Sequence, residues 1–99
     1  MPEDLKHPLN SGHARKLISE ILARGTVEYW KHARDELKRD SLETTDAENV
    51  LRCGKIYEPA EQSSKDSTWR YRVHTDLMVV VVIIYSSEEL AVVTAWRKR

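Results

Sequence analysis

LMVVVVIIY, Leu77 to Tyr85, is the stretch on which the fold turns. From Leu77 to Ile84 every residue is apolar, so both faces of a strand placed there are buried, which predicts the centre of a sheet. The run falls far short of the roughly 20 residues needed to cross a bilayer. Working outward, Thr68 to Thr75 and Leu90 to Arg97 read as further strands, separated from the centre only by Asp76 and by Ser86 to Glu89. Connections this short suit an antiparallel meander and leave no room for crossover helices.

The chain upstream changes period. Ala14, Leu17, Ile18, Ile21 and Leu22 recur at helical spacing, with Asn10 or Ser11 able to cap the start and Gly25 placed to end the helix in the left-handed conformation. Thr26 to Trp30 is rich in β-branched and aromatic residues and reads as a short strand. A charged second helix is expected from Lys31 to about Asp40, facing inward at Ala33 and Leu37. A third is capped by Thr44 or Thr45, buried through Ala47, Val50 and Leu51, and closed by Gly54. Lys55 to Tyr57 reads as a second short strand.

These elements predict one α+β domain over residues 1–99, with N-terminal helices packed on a C-terminal twisted antiparallel β-sheet whose other face is partly open. Residues 1–10 read as a flexible arm and 58–67 as a mobile polar loop. With 99 residues there is no room for a second core.

Lys plus Arg number 16 and Asp plus Glu number 16, which argues against a protein that holds nucleic acid by bulk attraction. The balance is uneven along the chain. Residues 1–68 carry 11 basic and 13 acidic side chains, and residues 69–99 carry five basic and three acidic. An acidic helical half thus precedes a basic β half. The single cysteine, Cys53, cannot form an internal disulfide; it reads as a small buried side chain near a helix end and fits a cytoplasmic protein. Residues 1–7 lack the basic and then apolar pattern of a secretory signal.

The most informative chemistry lies in WRYRVH, Trp69 to His74. Alternation sends Trp69, Tyr71 and Val73 one way and Arg70, Arg72 and His74 the other. Two guanidiniums and an imidazole on one face can grip a phosphodiester and move a proton during attack by a ribose 2′-hydroxyl. The alternative is an ordinary solvated strand face. Arg97, Lys98 and Arg99 end the last strand, where they either join the same basic patch or form a frayed tail. Trp96 and Tyr85 are candidates to stack on bases, with Trp96 alternatively a core residue. His32 opens the second helix as either a proton carrier or a partner of nearby backbone. No metal-ligand spacing, glycine-rich phosphate loop or serine-hydrolase elbow occurs, so neither a cofactor nor a metal is expected.

The segments KLISEILARGTV, KHARDEL and LETTDAENVLRCGKI, followed by WRYRVH, MVVVVIIY and LAVVTAWRKR, resemble the small RelE-superfamily toxins, most closely the MqsR-type mRNA interferases. The likeness spans about four-fifths of the chain. It implies metal-independent cleavage of single-stranded mRNA and a cognate antitoxin as protein partner. It also implies roles for Arg97, the basic residue after the aromatic Trp96, for Tyr71 and Arg72 on the strand after the long loop, and for Lys55 after the third helix. The expected catalytic set is therefore Arg72, His74, Arg97 and Lys55, with Arg70, Tyr85, Trp96 and Lys98 contacting RNA. The other reading is a non-catalytic protein-interaction or RNA-binding module on the same fold.

Overall fold

The computed structural model describes residues 7–98. Within them α1 (Ser11–Arg24), β1 (Thr26–Tyr29), α2 (Lys31–Arg39) and α3 (Thr44–Cys53) precede β2 (Glu61–Gln62), β3 (Trp69–His74), β4 (Met78–Ser86) and β5 (Glu89–Arg97). The strands form one sheet in the order β1-β5-β4-β3-β2, giving an α+β fold. Because Met78 to Ile84 is buried on both faces, β4 takes the middle, as its unbroken apolar run requires.

The meander β3-β4-β5 is antiparallel, but β1 runs parallel to β5, with Thr26 opposite Glu89 and Tyr29 opposite Val92. The sheet is thus mixed, which corrects the expectation of a purely antiparallel one. Short connections dictate the direction of strands adjacent in sequence, whereas β1 and β5 are remote, and their direction follows from where α1 docks. Gly25 makes that docking close. A Cβ there would lie 2.2 Å from the Glu88 carbonyl oxygen, and this same oxygen accepts the Thr26 N–H at 2.8 Å. Gly25 has φ −106°, so it ends α1 through this close approach and not through the left-handed conformation.

Past Tyr29, α2 takes over the edge of β5 that β1 leaves open. The Trp30 N–H donates to the Val92 carbonyl at 3.0 Å, the Thr94 hydroxyl donates to the Glu36 carboxylate, and the Arg97 N–H donates to Asp40 Oδ2 at 3.1 Å. Covering an edge with a helix removes a surface on which another chain could pair. On the helical side, Ala14, Leu17, Ile18 and Ile21 of α1, Ala33 and Leu37 of α2, and Ala47, Val50 and Leu51 of α3 pack on Tyr71, Val73, Val80, Val82, Ile84, Leu90, Val92 and Ala95. Arg15 ties α1 to the end of α3 by donating to the Leu51 carbonyl at 2.6 Å and the Arg52 carbonyl at 3.0 Å.

Several local expectations are revised. The cap of α3 is Glu43, in a reciprocal box with Asp46, because a carboxylate at each position satisfies the other's backbone N–H; Thr44 is already inside the helix. Lys55 to Tyr57 makes only one bridge, Lys55 with His74, since Pro59 follows and cannot extend a ladder. The loop expected at 58–67 contains β2, paired with β3 through Glu61–Arg70 and Gln62–Trp69. Cys53 is exposed, not buried, because it falls at the last position of α3 beside Asn49. Of the arm expected at 1–10, residues 1–6 lie outside the described residues, as does Arg99. Leu9 is half-buried on the core, with its N–H donating to the Tyr71 hydroxyl at 3.0 Å. Among the described residues no helix is long and apolar enough to cross a membrane.

Candidate functional site

Among the described residues no helix covers the second face of the sheet. Val79, Val81, Ile83, Ala91 and Val93 form a smaller cluster there, sheltered by the half-buried Trp30 and Trp96. A bulge shapes its floor: Val82 pairs with Val92 and Val81 with Thr94, so Val93 is an extra residue. Both Val93 and Thr94 consequently line the face, and alternation resumes with Ala95 in the core and Trp96 outside it.

A cleft of about 650 Å³ lies over this floor, a size that suits a small ligand. One end is closed by a bridge between Trp30 and Arg70. Their backbones lie on opposite sides of β4 and β5, roughly 14 Å apart by strand spacing. Even so, the guanidinium carbon of Arg70 stands 5.8 Å from the Trp30 ring centre, a cation–π arrangement. Arg70 Nε is buried there without a hydrogen-bond partner. Trp96, opposite Val79, closes the other end. One side is formed by Arg72 with Glu61 to Asp66, the other by His32. The Asp66 carboxyl is held below its ordinary range, first by hydrogen bonds from Thr68 and further by the charge of Arg70.

The predicted alternation of β3 holds: Tyr71 and Val73 are in the helical core, while Arg70 and Arg72 line the cleft. His74 shares their face, opposite Val79. Arg72 and His74 each have a carboxylate from the preceding segment. Arg72 donates through its terminal nitrogen to Glu61 Oε2 at 3.0 Å. His74 Nε2 lies 2.8 Å from Glu58 Oε1 and 3.0 Å from Oε2, and the Tyr57 ring leans on the imidazole at 5.5 Å between centres. Burial raises the Glu58 carboxyl, yet the hydrogen bond from His74 and the charges of His74 and Arg72 outweigh it and hold the carboxyl below its ordinary value. Gly54 lets the chain leaving α3 press on this strand, since a Cβ there would sit 2.6 Å from the His74 carbonyl oxygen.

A family described as a domain of unknown function (DUF4258) matches residues 29–97. The chain belongs to that family. The match takes in all of β2 to β5 and α2 and α3, and hence Trp30, Arg70, Arg72, His74 and Trp96, while α1 and most of β1 precede it. No curated protein and no solved structure matches the chain.

In this DUF4258 domain the expected residues do not all meet. Arg97 pairs with Met78 of the helical core, so it lies on the opposite face from Arg72. Its guanidinium donates to the Asp40 carbonyl at 3.1 Å, where it satisfies the end of α2. Tyr85 is exposed, roughly 20 Å along β4 from the residue opposite Trp96. Lys98 is exposed, with its N–H on the Leu77 carbonyl at 2.7 Å. Lys55 lies beside His74, exchanging two backbone hydrogen bonds of 2.8 Å with it. Among the described residues no group of three or more His, Cys, Asp or Glu side chains could hold a metal ion.

Four contributors lie outside the residues the sequence singles out. The sequence puts Trp30 at the end of a strand and Glu58 and Glu61 in a loop, and Glu36 lies 3.0 Å from His32 Nε2. The i, i+4 spacing of His32 and Glu36 was a usable signal; the carboxylates of residues 58–61 had none, since their partners are remote in sequence.

Proposed function

We propose that the open face binds single-stranded RNA and cleaves it without a metal, as in the RelE-superfamily toxins that the sequence resembles. The observation that carries this reading is the placement of Arg72 and His74 on one strand face, beside a cleft walled by two indoles. Arg72 holds the scissile phosphate, because its charge persists at every physiological pH and its fork matches phosphate oxygens. The 2′-hydroxyl oxygen attacks phosphorus as the bond to the 5′ oxygen breaks, leaving a 2′,3′-cyclic phosphate and a 5′-hydroxyl. His74 transfers the proton, and Lys55 adds positive charge nearby. Trp96 and Trp30 offer stacking surfaces worth roughly 1–3 kcal/mol per base. A cytoplasmic location and an antitoxin that covers this face complete the reading.

The test is incubation of the purified chain with single-stranded RNA in EDTA. Cleavage to cyclic-phosphate ends is expected, with a loss of about 10²-fold or more in His74→Ala. Bound but intact RNA overturns the nuclease reading and selects the second one, a non-catalytic binding module. That alternative is favoured by the carboxylates already paired with Arg72 and His74.

A further inference from the structure

The segment from Glu58 to Gln62 crosses the edge of the candidate site and places a carboxylate on each of two side chains there, Glu58 on His74 and Glu61 on Arg72. We propose that this segment is an internal phosphate mimic: Glu58 and Glu61 occupy the positions of two successive phosphates of single-stranded RNA, which must displace them to bind. The inference rests on the reading that this face takes RNA, and it adds both the register of the substrate and a means of restraint.

The spacing supports it. Arg72 and His74 are two residues apart on β3, which sets their backbones roughly 7 Å apart on one face. That is close to the separation of neighbouring phosphates along an extended polynucleotide. A carboxylate and a phosphate oxygen offer similar acceptors to a guanidinium or an imidazolium. A single-stranded backbone laid along β3 therefore meets the same two donors that the strap now engages.

The strap is also lightly held. Only two residue pairs join β2 to the sheet, both β2 residues are exposed, and β2 forms the outer edge. Behind the strap lies a second cavity of about 430 Å³, lined by Pro8, Leu9, Ile56, Glu58 and Pro59, and Ala60 is the strap residue that packs on the helical core. The side chains of Arg72 and Glu61 are 42% and 69% exposed, so water and salt screen their pair and a polyanion competes readily. Its release uncovers His74, whose side chain is 13% exposed while Glu58 and Tyr57 lie against it. Neutralising the two carboxylates should then favour RNA twice over, by removing the competitor and by raising the local positive potential.

The experiment compares the full chain with its Glu58→Gln, Glu61→Gln form in binding a short, non-cleavable 2′-O-methyl RNA by fluorescence anisotropy. Affinity is expected to rise about tenfold or more. The Glu61→Gln form alone, altered only at an exposed side chain, is expected to gain part of that increase, and circular dichroism confirms folding of both. Unchanged or weaker binding overturns the proposal. Ordinary RNA separates the two ideas: tighter binding by the variant with no cleavage by either protein removes the nuclease reading and leaves the strap. Cleavage by the unaltered chain with no gain in variant affinity removes the strap and leaves the nuclease. Absence of binding by either protein overturns both.

Discussion

His74 and Glu58, sixteen residues apart in sequence, form a histidine–carboxylate pair at 2.8 Å on the sheet face opposite the helical core. Four expected site residues, Arg70, Arg72, His74 and Trp96, share that face, whereas Arg97 lies on the other.

The pair gives acid sensitivity a defined sign. Glu58 is held below its ordinary carboxylate value in the folded chain, so its contribution is present above the unfolded pKa of about 4.3 and is lost as pH falls through the folded one. In urea unfolding between about pH 5 and pH 3, the unaltered chain should lose more stability than Glu58→Gln. The excess should be about 0.5 kcal/mol or less, given the solvent exposure of Glu58.

Tyr29 sets the alkaline limit. Burial, with the charge of Glu48 added, pushes its hydroxyl up to about 12. A raised folded pKa contributes stability that is whole below about 10 and vanishes as pH rises through about 12. Absorbance titration near 295 nm should show a late tyrosine fraction that disappears in Tyr29→Phe. Tyr71, raised by burial, should also titrate late.

The Arg70–Trp30 bridge separates packing from charge. Trp30→Ala removes an indole that packs on the cluster of Val79, Val81, Ile83, Ala91 and Val93 and should cost about 2–3 kcal/mol in chemical denaturation. Arg70→Met keeps an apolar stem and removes the buried, unpartnered Nε, so stability should stay level or rise by up to ~1 kcal/mol. RNA affinity should fall in the same variant.

Arg97→Ala tests where the site ends. Its guanidinium satisfies the Asp40 carbonyl, so its loss should lower stability by about 0.5–1 kcal/mol. Binding and cleavage of RNA should stay within about twofold of the unaltered chain, whereas Arg72→Ala should lose at least about tenfold.

Secondary structure and the alternation of β3 were legible because they depend on local periodicity. LMVVVVIIY requires two buried faces, and WRYRVH divides its cations from its core residues by the pleat alone. Glu43 as a cap and the short β2 were harder to read, since a carboxylate near a helix start and a polar segment after Pro59 have several local solutions. Their choice depends on contacts with residues elsewhere.

By itself the sequence determined an α+β chain with β4 at its centre and with Arg70, Arg72 and His74 on one side of their strand. Tertiary structure alone decided that β1 runs parallel to β5, that Arg97 turns to the helical side, and that Glu58 and Glu61 close over His74 and Arg72. Alternation is a property of neighbouring residues, whereas direction across the sheet, edge coverage and charge pairing arise only when distant segments compete for the same surface.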